Sequence, residues 1–232
     1  MRILATGASG MVGSYLPDSV EKTDKETLDV TKMYFAVKKD IVIHLAAETD
    51  VDLCEIEPWR AYKTNVFGTY NVVDYAKCKV IYISTAQSPV TVYGRTKRIG
   101  EQIVRDLCSR YLIIRAGWMF GGGRERDKKF VGMVIKNKDK PFKAVSDLYG
   151  CPTYAKDLVD FIMNNLHLKG TLNFCNGVAS RYEIAKYINP KTMPVSSANF
   201  PASARRQDEL MQDFICPRPW QEAIDDYLKE WE

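Results

Sequence analysis

The sequence contains no apolar run long enough to cross a membrane. A membrane-spanning helix needs about 20 consecutive apolar residues, and apolar stretches such as IVIHLA and YLIIRA are much shorter. The first residues, MRILATG, also lack the long apolar centre of a secretory signal peptide. We therefore predict a cytoplasmic protein that does not associate with membranes.

Histidine is scarce and the cysteines are scattered. The two histidines, His44 and His167, do not stand in a ligand set with the spacing of a zinc site, so we predict no metal. The six cysteines form no Cys-x-x-Cys pair. Their dispersion among apolar neighbours is typical of free thiols in a reducing compartment.

Neither sign of charge dominates the composition. The 33 lysines and arginines stand against 29 acidic residues, and the net charge is +4. This bias is too weak to indicate a nucleic-acid partner, although it is compatible with a small anionic ligand. With 232 residues and 46% hydrophobic residues, the chain is long and apolar enough to bury a substantial core.

Short apolar segments alternate with segments of helical periodicity in the first half of the chain. The strand candidates are RILAT, IVIHLA, KVIYIS and YLIIRA, with a weaker one, SVEKT, at 19–23, and the helix candidates are 31–38, 55–76 and 92–108. This alternation predicts an α/β fold with a doubly wound parallel sheet.

The pattern changes after the strand candidate YLIIRA. A glycine-rich stretch, GWMFGGGRERDKKF, is followed by helix candidates near 129–137, 154–166, 180–188 and 219–230 and by a strand candidate, TLNFC. We place the boundary at residue 117. Residues 118–232 should form a smaller α+β part that covers the carboxyl ends of the strands and packs partly on the first domain.

The loop after the first strand candidate carries three glycines. In TGASGMVGSYL, Gly7 allows a tight turn, Gly10 lets backbone amides approach a pyrophosphate, and Gly13 allows the predicted following helix to pack closely. The order strand, glycine loop, helix predicts a Rossmann domain that binds NAD(H) or NADP(H).

An acidic residue follows the second strand candidate. Asp24 could accept hydrogen bonds from the adenosine ribose, which would favour NAD(H), or it could simply be a turn residue. Lys22 and Lys25 flank it and favour NADP(H), so the choice of cofactor stays open. Asp29 and Val30 are placed to contact the adenine.

Tyr93 and Lys97 are four residues apart, which puts them on one face of a helix. Three other pairs, Tyr34–Lys38, Tyr75–Lys79 and Tyr182–Lys186, have the same spacing. Of the four pairs, only Tyr93–Lys97 follows a strand candidate that ends in two hydroxyl residues, Ser84 and Thr85. Such a hydroxyl can bind a carbonyl, the tyrosine can donate a proton to it, and the ammonium can lower the tyrosine pKa.

Several motifs in this order resemble the extended branch of the short-chain dehydrogenase/reductase superfamily, and within it the dTDP-4-dehydrorhamnose reductases. The motifs are TGASGMVGSYL, LDVTK, IVIHLAAETDVDLCEIEP, NVFGTYNVVDYA, YIST, VYGRTKRIGE, IIRAGWMF and YGCPTYAKDLVDFI. The resemblance implies that Thr85, Tyr93 and Lys97 are catalytic, that Trp118 faces the sugar, and that the cofactor pocket is formed or ordered by Gly7, Gly10, Met11, Val12, Gly13, Ala46, Ala47, Thr49 and Asn65.

The chain also departs from that family. Ala86 and Gln87 follow Thr85 where the family has Asp-Tyr, and Tyr93 comes only eight residues after Thr85, so a substrate-contacting loop is missing. Near the carboxyl end, ASARRQDEL replaces the family's Arg-Pro and Ser-Arg-Leu. The related dehydratases carry an Asp-Glu pair after the threonine, and its absence here argues against dehydration.

The sequence favours an NAD(P)H-dependent reductase of a 4-keto nucleotide-sugar. An epimerase with the same Tyr93 and Lys97, and a non-catalytic cofactor-binding regulatory subunit, remain alternatives. Two basic groups could hold a nucleotide diphosphate or be solvated surface: Arg124, Arg126, Lys128 and Lys129, and then Arg205 and Arg206. A homodimer paired through helices is compatible with these predictions.

Overall fold

The structure, a computed structural model, describes residues 1–32, 38–199 and 209–232. Its strands are β1 (Ile3–Thr6), β2 (Val20–Lys22), β3 (Ile41–His44), β4 (Lys79–Thr85), β5 (Tyr111–Ala116), β6 (Met119–Phe120), β7 (Phe142–Val145), β8 (Tyr149–Gly150), β9 (Thr153–Tyr154), β10 (Gly170–Phe174), β11 (Ala179–Ser180), β12 (Thr192–Val195) and β13 (Phe214–Ile215). Most of the predicted helix over 31–38 lies outside the described residues.

A seven-stranded sheet forms the centre of the molecule, in the order β13-β10-β5-β4-β3-β1-β2. Every neighbouring pair in it is parallel. The predicted doubly wound parallel sheet is thereby confirmed. Its central strands are buried on both faces, which explains why their sequences are continuously apolar.

The helices are α1 (Val51–Ile56), α2 (Pro58–Ala61), α3 (Thr69–Ala76), α4 (Val92–Leu107), α5 (Gly123–Arg126), α6 (Phe130–Lys136), α7 (Ala155–Asn164), α8 (Arg181–Ile188) and α9 (Trp220–Lys229). A π-helical segment, Tyr62–Gly68, joins α2 to α3. The helix predicted over 55–76 therefore begins earlier, at Val51, and is interrupted before Pro58. Glu57 there has φ −124° and ψ 68°, because proline disfavours the helical conformation in the preceding residue.

The helix predicted after the glycine loop is a single 3-10 turn, Gly13–Tyr15. Leu16 is extended, with φ −64° and ψ 137°, as expected of a residue that precedes a proline. Pro17 therefore ends the turn, and the chain enters β2 three residues later.

Helices cover both faces of the sheet. On one face α3 and α4 pack on Leu4, Val42 and Tyr82. On the other face α7 packs on the first strands, with Leu158 and Ile162 fully buried there. Since α7, β10 and β13 all come from beyond residue 117, the later part of the chain completes the sheet and its second face.

The remaining elements form a smaller unit beside the carboxyl ends of the strands. It contains α6, α8, α9 and three two-stranded sheets, β6–β9, β7–β12 and β8–β11. Its core includes stacked rings of Phe120 and Tyr154, whose centroids are 5.2 Å apart. Among the described residues, none of the helices is long and apolar enough to span a membrane.

Candidate active site

A cleft of about 1610 Å³ lies at the carboxyl ends of the central strands. The glycine loop after β1, the ends of β3 and β4, the start of α4 and the smaller unit all contribute to its wall. Ligands of open parallel sheets bind at this edge, because the loops that follow neighbouring strands diverge there.

The three glycines of the first loop differ in whether the protein fold itself requires a glycine at that position. Gly7 has φ +65°, and a Cβ there would lie 2.6 Å from the backbone of Ala46, so the fold itself requires glycine. A Cβ at Gly13 would lie 2.0 Å from the carbonyl oxygen of Ala8. At Gly10 a Cβ would contact only the Gly7 carbonyl oxygen, at an ordinary 3.5 Å. The protein alone therefore does not require glycine at position 10, which indicates space kept for a ligand.

All but one of the predicted site residues line the cleft: Gly7, Gly10, Met11, Val12, Gly13, Asp24, Asp29, Val30, Ala46, Ala47, Thr49, Thr85, Tyr93, Lys97 and Trp118. The exception is Asn65. It is fully buried in the π-helical segment, where it accepts a hydrogen bond from the Glu48 amide (2.8 Å) and donates to the Thr96 hydroxyl (3.0 Å). Asn65 thus ties the loop after β3 to α4.

Asp24 lies in a turn in the wall of the cleft. Its Oδ1 atom accepts hydrogen bonds from the backbone amides of Glu26 and Thr27, each at 3.0 Å, and from the Thr27 hydroxyl at 2.9 Å. Lys25 and Lys32 line the same part of the cleft. Of the groups considered in the choice between NAD(H) and NADP(H), Asp24 and Lys25 therefore line the cleft, whereas Lys22 does not line it and pairs with Asp18 at 3.9 Å.

The helix that carries Tyr93 and Lys97 begins one residue before Tyr93. Thr91 caps it by accepting a hydrogen bond from the Gly94 amide at 3.0 Å, and Glu55 accepts another from the Val92 amide at 2.6 Å. A side chain at Gly94 would collide with the carbonyl oxygen of Ser88, 2.2 Å away. The short loop after β4 is thus packed directly against the first turn of α4.

Lys97 is buried, with only 3% of its surface exposed, and its Nζ atom lies 4.1 Å from the centre of the Tyr82 ring. Burial lowers the pKa of Lys97 to about 7, while the charge of Glu101 opposes the shift. Burial raises the pKa of Tyr93, and the Thr85 side chain opposes that rise. The phenol therefore carries its proton at neutral pH, and the amine of Lys97, in the same cleft, has a pKa of about 7.

The two hydroxyl groups at the end of β4 have different surroundings. Ser84 donates to the carboxylate of Glu101 at 2.6 Å, and Thr85 accepts a hydrogen bond from the Gln87 amide at 3.1 Å. The Thr85 side chain is the one next to Tyr93. Ser84 serves mainly to attach the strand end to α4.

Glu101 is fully buried among cationic groups. Its two carboxylate oxygens accept hydrogen bonds from Arg98, Arg105 and Arg115 at 2.7–2.9 Å. These charges and the Ser84 hydroxyl lower the pKa of Glu101 to about 2, against the effect of burial. Its place one turn after Lys97 is the sequence signal that would have identified it.

His44 lies below the cleft between two threonines. Its Nδ1 atom is 2.7 Å from the Thr6 hydroxyl and its Nε2 atom is 3.1 Å from the Thr69 hydroxyl. Burial and the nearby charge of Lys97 lower its pKa to about 3, so the ring is neutral. In the described ranges, no three or more His, Cys, Asp or Glu side chains are grouped as metal ligands would be.

The basic residues after the glycine run divide between two surroundings. Arg126, Lys128 and Lys129 line the cleft, and Lys129 donates to the Thr49 hydroxyl at 3.3 Å. Arg124 does not line it and instead donates to the carbonyl of Trp231. Arg205 and Arg206 lie outside the described residues.

Several charged residues that line the cleft were not predicted from the sequence, and Glu48 and Arg181 are two of them. Glu48, in the loop after β3, accepts hydrogen bonds from the next two backbone amides and pairs with Arg60 at 3.2 Å. Arg181, the first residue of α8, lies against Trp118. Nothing in the sequence marks an arginine after a short strand as a site residue, and only the fold shows that Arg181 lines the cleft.

Comparisons with known proteins cover the whole chain. Residues 82–232 match the RmlD substrate binding domain, and residues 23–117 match a polysaccharide biosynthesis protein family. The dTDP-4-dehydrorhamnose reductase of Mycolicibacterium smegmatis is 30% identical over 97% of this chain and 84% of that protein. The spore coat polysaccharide biosynthesis protein SpsK of Bacillus subtilis is 28% identical, over 99% and 97%.

Solved structures agree with these relatives. The dTDP-4-dehydrorhamnose reductase of Yersinia enterocolitica superposes with a TM-score of 0.86 at 35% identity, covering 100% of this chain and 99% of that one. The Bacillus anthracis reductase, solved in complex with NADP, gives 0.89 at 29% identity, covering 99% of each. A UDP-glucose 4-epimerase of Thermus thermophilus, with NAD, shares the fold at 15% identity and 0.77, covering 99% of this chain and 98% of that one.

Proposed function

This chain belongs to the family of the RmlD substrate binding domain and is an NAD(P)-dependent oxidoreductase, and we propose that it reduces the ketone of a 4-keto nucleotide-sugar. The observation that carries the proposal is the group formed by Thr85, Tyr93 and buried Lys97 in one cleft with the glycine loop. We further propose that residues 118–232 mainly bind the sugar nucleotide.

The residues of the glycine loop fit a dinucleotide. Gly10 leaves open the space that a side chain would fill, and the amides of this loop would hold the pyrophosphate. Asp24 and Asp29, at the far end of the cleft, would contact the adenosine. The bound nicotinamide would supply the hydride that reduces the carbonyl carbon.

Tyr93 and Thr85 would act on the carbonyl oxygen of the substrate. The Thr85 hydroxyl would donate a hydrogen bond to that oxygen, and the Tyr93 phenol would transfer its proton to it as negative charge develops. The ammonium form of Lys97 would stabilise the phenolate that remains. Trp118, on the wall beside them, would contact the sugar.

An assay with purified protein tests this proposal. NADPH or NADH would be mixed with a panel of 4-keto nucleotide-sugars that differ in base and sugar, and nicotinamide absorbance would be followed. Stoichiometric loss of reduced cofactor with formation of the 4-hydroxy sugar is the expected result. Isomerisation without net oxidation of cofactor would indicate the epimerase alternative, and cofactor binding without turnover would indicate the regulatory alternative.

A further inference from the structure

The part of the cleft that is built by the smaller unit is strongly cationic. Beyond residue 117, its described lining contains five cationic side chains and one carboxylate: Arg126, Lys128, Lys129, Lys143, Arg181 and Glu209. Aromatic and apolar side chains, including Phe130 and Phe142, lie between them. Such a surface suits a ligand that combines negative charge with a flat apolar group.

Arg181 differs from the four other cations because two aromatic rings hold its guanidinium. Its central carbon lies 4.5 Å from the centre of the Trp118 ring and 4.9 Å from that of Phe130. Both rings attract the guanidinium charge through their electron-rich faces. Arg181 is also less exposed than the other four: it is half-buried, and the exposed ones are Arg126, Lys128, Lys129 and Lys143.

The small sheet β8–β11 fixes both partners of this contact. Ala179 and Ser180 of β11 pair with Gly150 and Tyr149 of β8, and Arg181 follows at once. Ser180 caps α8 in a reciprocal pair of hydrogen bonds with Glu183. On the other strand, a Cβ at Gly150 would lie 2.3 Å from the Trp118 ring, so glycine is needed to admit that ring.

A guanidinium held in this way suits a phosphate. Its N–H donors lie in one plane and can contact two phosphate oxygens in a fixed parallel geometry, which the rotating donors of an ammonium group do not provide. Because the rings already restrict the side chain, binding costs less conformational entropy than it would for an exposed lysine.

We propose that Arg181 binds the diphosphate of the sugar nucleotide, with Trp118 and Phe130 as the rings that position it. This inference rests on the proposed function, since it assigns the anionic part of that substrate to a particular residue. It also predicts a second phosphate site in the cleft, formed by a different element from the glycine loop that would hold the cofactor.

Calorimetric titration tests this assignment without relying on turnover. The probes would be thymidine 5′-diphosphate, uridine 5′-diphosphate, thymidine and NADPH. They would be titrated into the wild type, Arg181→Met, Arg181→Lys and, as a control, Lys136→Met. Lys136 lies on α6 and does not line the cleft, so the control removes one positive charge from the same unit.

Arg181→Met should weaken binding of the preferred nucleoside diphosphate about ten- to hundred-fold, because charge-assisted hydrogen bonds to phosphate are lost. Binding of NADPH should be unchanged in this variant, which also shows that it is folded. Arg181→Lys should fall between wild type and Arg181→Met, and Lys136→Met should resemble wild type.

Wild-type affinity for the diphosphates in Arg181→Met would overturn the assignment and leave the proposed reductase activity intact. A parallel loss of NADPH affinity would also overturn it, because Arg181 would then serve the cofactor. If diphosphate binding depends on Arg181 and the wild type reduces no ketone in the panel, the proposed function fails and the phosphate site stands.

Discussion

Among single residues, the surroundings of the lysine distinguish the Tyr93–Lys97 pair from others of equal spacing. Lys79 donates to the carbonyls of Leu166 and Leu168, which follow α7, and Lys186 donates to the carbonyl of Pro190 at 2.6 Å. Lys97 instead lines the cleft, with its ammonium against the ring of Tyr82. Tyr34 lies outside the described residues. Spacing alone does not separate these pairs in the sequence, and the prediction for Tyr93 depends on the hydroxyl-ended strand that precedes it.

Replacing Tyr93 with phenylalanine should lower ketone reduction about 10²–10⁴-fold, because the ring is kept and its transferable proton is lost. Cofactor affinity, measured by fluorescence titration with NADPH, should change little. Lys97→Met should be at least as harmful to turnover, since the phenolate then loses its neighbouring positive charge.

The matched controls for Tyr93→Phe are Tyr75→Phe and Tyr182→Phe, which have the same spacing to a lysine. They should retain nearly full turnover. If Tyr93→Phe were as active as these two variants, Tyr93 would not be the proton donor.

Replacing Gly10 with valine should abolish NADPH binding and leave the thermal stability nearly unchanged. A Cβ there contacts only the Gly7 carbonyl oxygen, at an ordinary 3.5 Å, so we expect the valine side chain to extend into the open cleft. Gly13→Val should instead lose thermal stability and unfold at a lower temperature than wild type, since its Cβ would overlap Ala8. Calorimetric binding and thermal melts of both variants would check this, and normal cofactor affinity in folded Gly10→Val would place the pyrophosphate elsewhere.

Among the structural elements, six strands of the central sheet and five of the helices were predictable, and the short strands were not. Helices α4, α6, α7, α8 and α9 lie within two residues of their predicted bounds, whereas β6 to β9 and β11 to β13 were not predicted. The buried central strands are continuous apolar runs, because strands that are covered on both faces of a sheet need apolar side chains on both sides. The prediction of a full helix after the glycine loop was wrong, because Pro17 ends that segment after one 3-10 turn. The helix over 55–76 failed in detail, since Pro58 interrupts it and Asn65 lies in a π-helical segment that no periodicity marks.

Glu101 attaches helix α4 to the sheet through hydrogen bonds, and its partners come from three elements. Ser84 belongs to β4, Arg115 to β5, and Arg98 and Arg105 to α4 itself. The carboxylate thus holds the helix that carries Lys97 against the strand that ends in Thr85. Its fourfold pairing could not be read from the sequence, because two of its partners are distant in the chain.

Glu101→Gln should lower the free energy of unfolding by about 1.5–3 kcal/mol at neutral pH, because charge-assisted hydrogen bonds weaken and three arginines lose their counter-charge. The folded-state pKa of Glu101, about 2, is below the ordinary 4.5, so its contribution is present above about pH 4.5 and is lost as the pH falls toward 2. The difference in the free energy of unfolding between wild type and Glu101→Gln should therefore become smaller as the pH is lowered.

Urea unfolding of both proteins across this pH range would measure the difference. The control is Glu125→Gln, an exposed carboxylate on α5 that should stay within about 0.5 kcal/mol of wild type. Equal stability of Glu101→Gln and wild type at neutral pH would show that the buried cluster does not hold α4.

Over the whole molecule, the two parts of the chain share one sheet and one core. β10 pairs with β5 along five residues, from Gly170 with Leu112 to Phe174 with Ala116. Arg218, just before α9, makes a forked ion pair with Asp157 of α7, with Nη2 to Oδ1 at 2.6 Å. The change of pattern near residue 117 was visible in the sequence, but the return of α7 and β10 required contacts between segments far apart in the chain.

A chain that ends at residue 117 should therefore not fold. Without the later part it lacks α7 and β10, whose buried side chains Leu158, Val159, Ile162 and Phe174 cover Ile3, Ile43 and Ile114. Each such buried side chain contributes about 1.5–3 kcal/mol, so the loss of four, roughly 6–12 kcal/mol, is comparable to the whole stability of a typical domain, about 5–15 kcal/mol. Circular dichroism and amide NMR of residues 1–117 should show no cooperative melting and no dispersed resonances, whereas the full chain should unfold in a single transition. A truncated chain with dispersed resonances and normal NADPH affinity would instead make the first part an independent domain, and two separate transitions in the full chain would contradict the shared core.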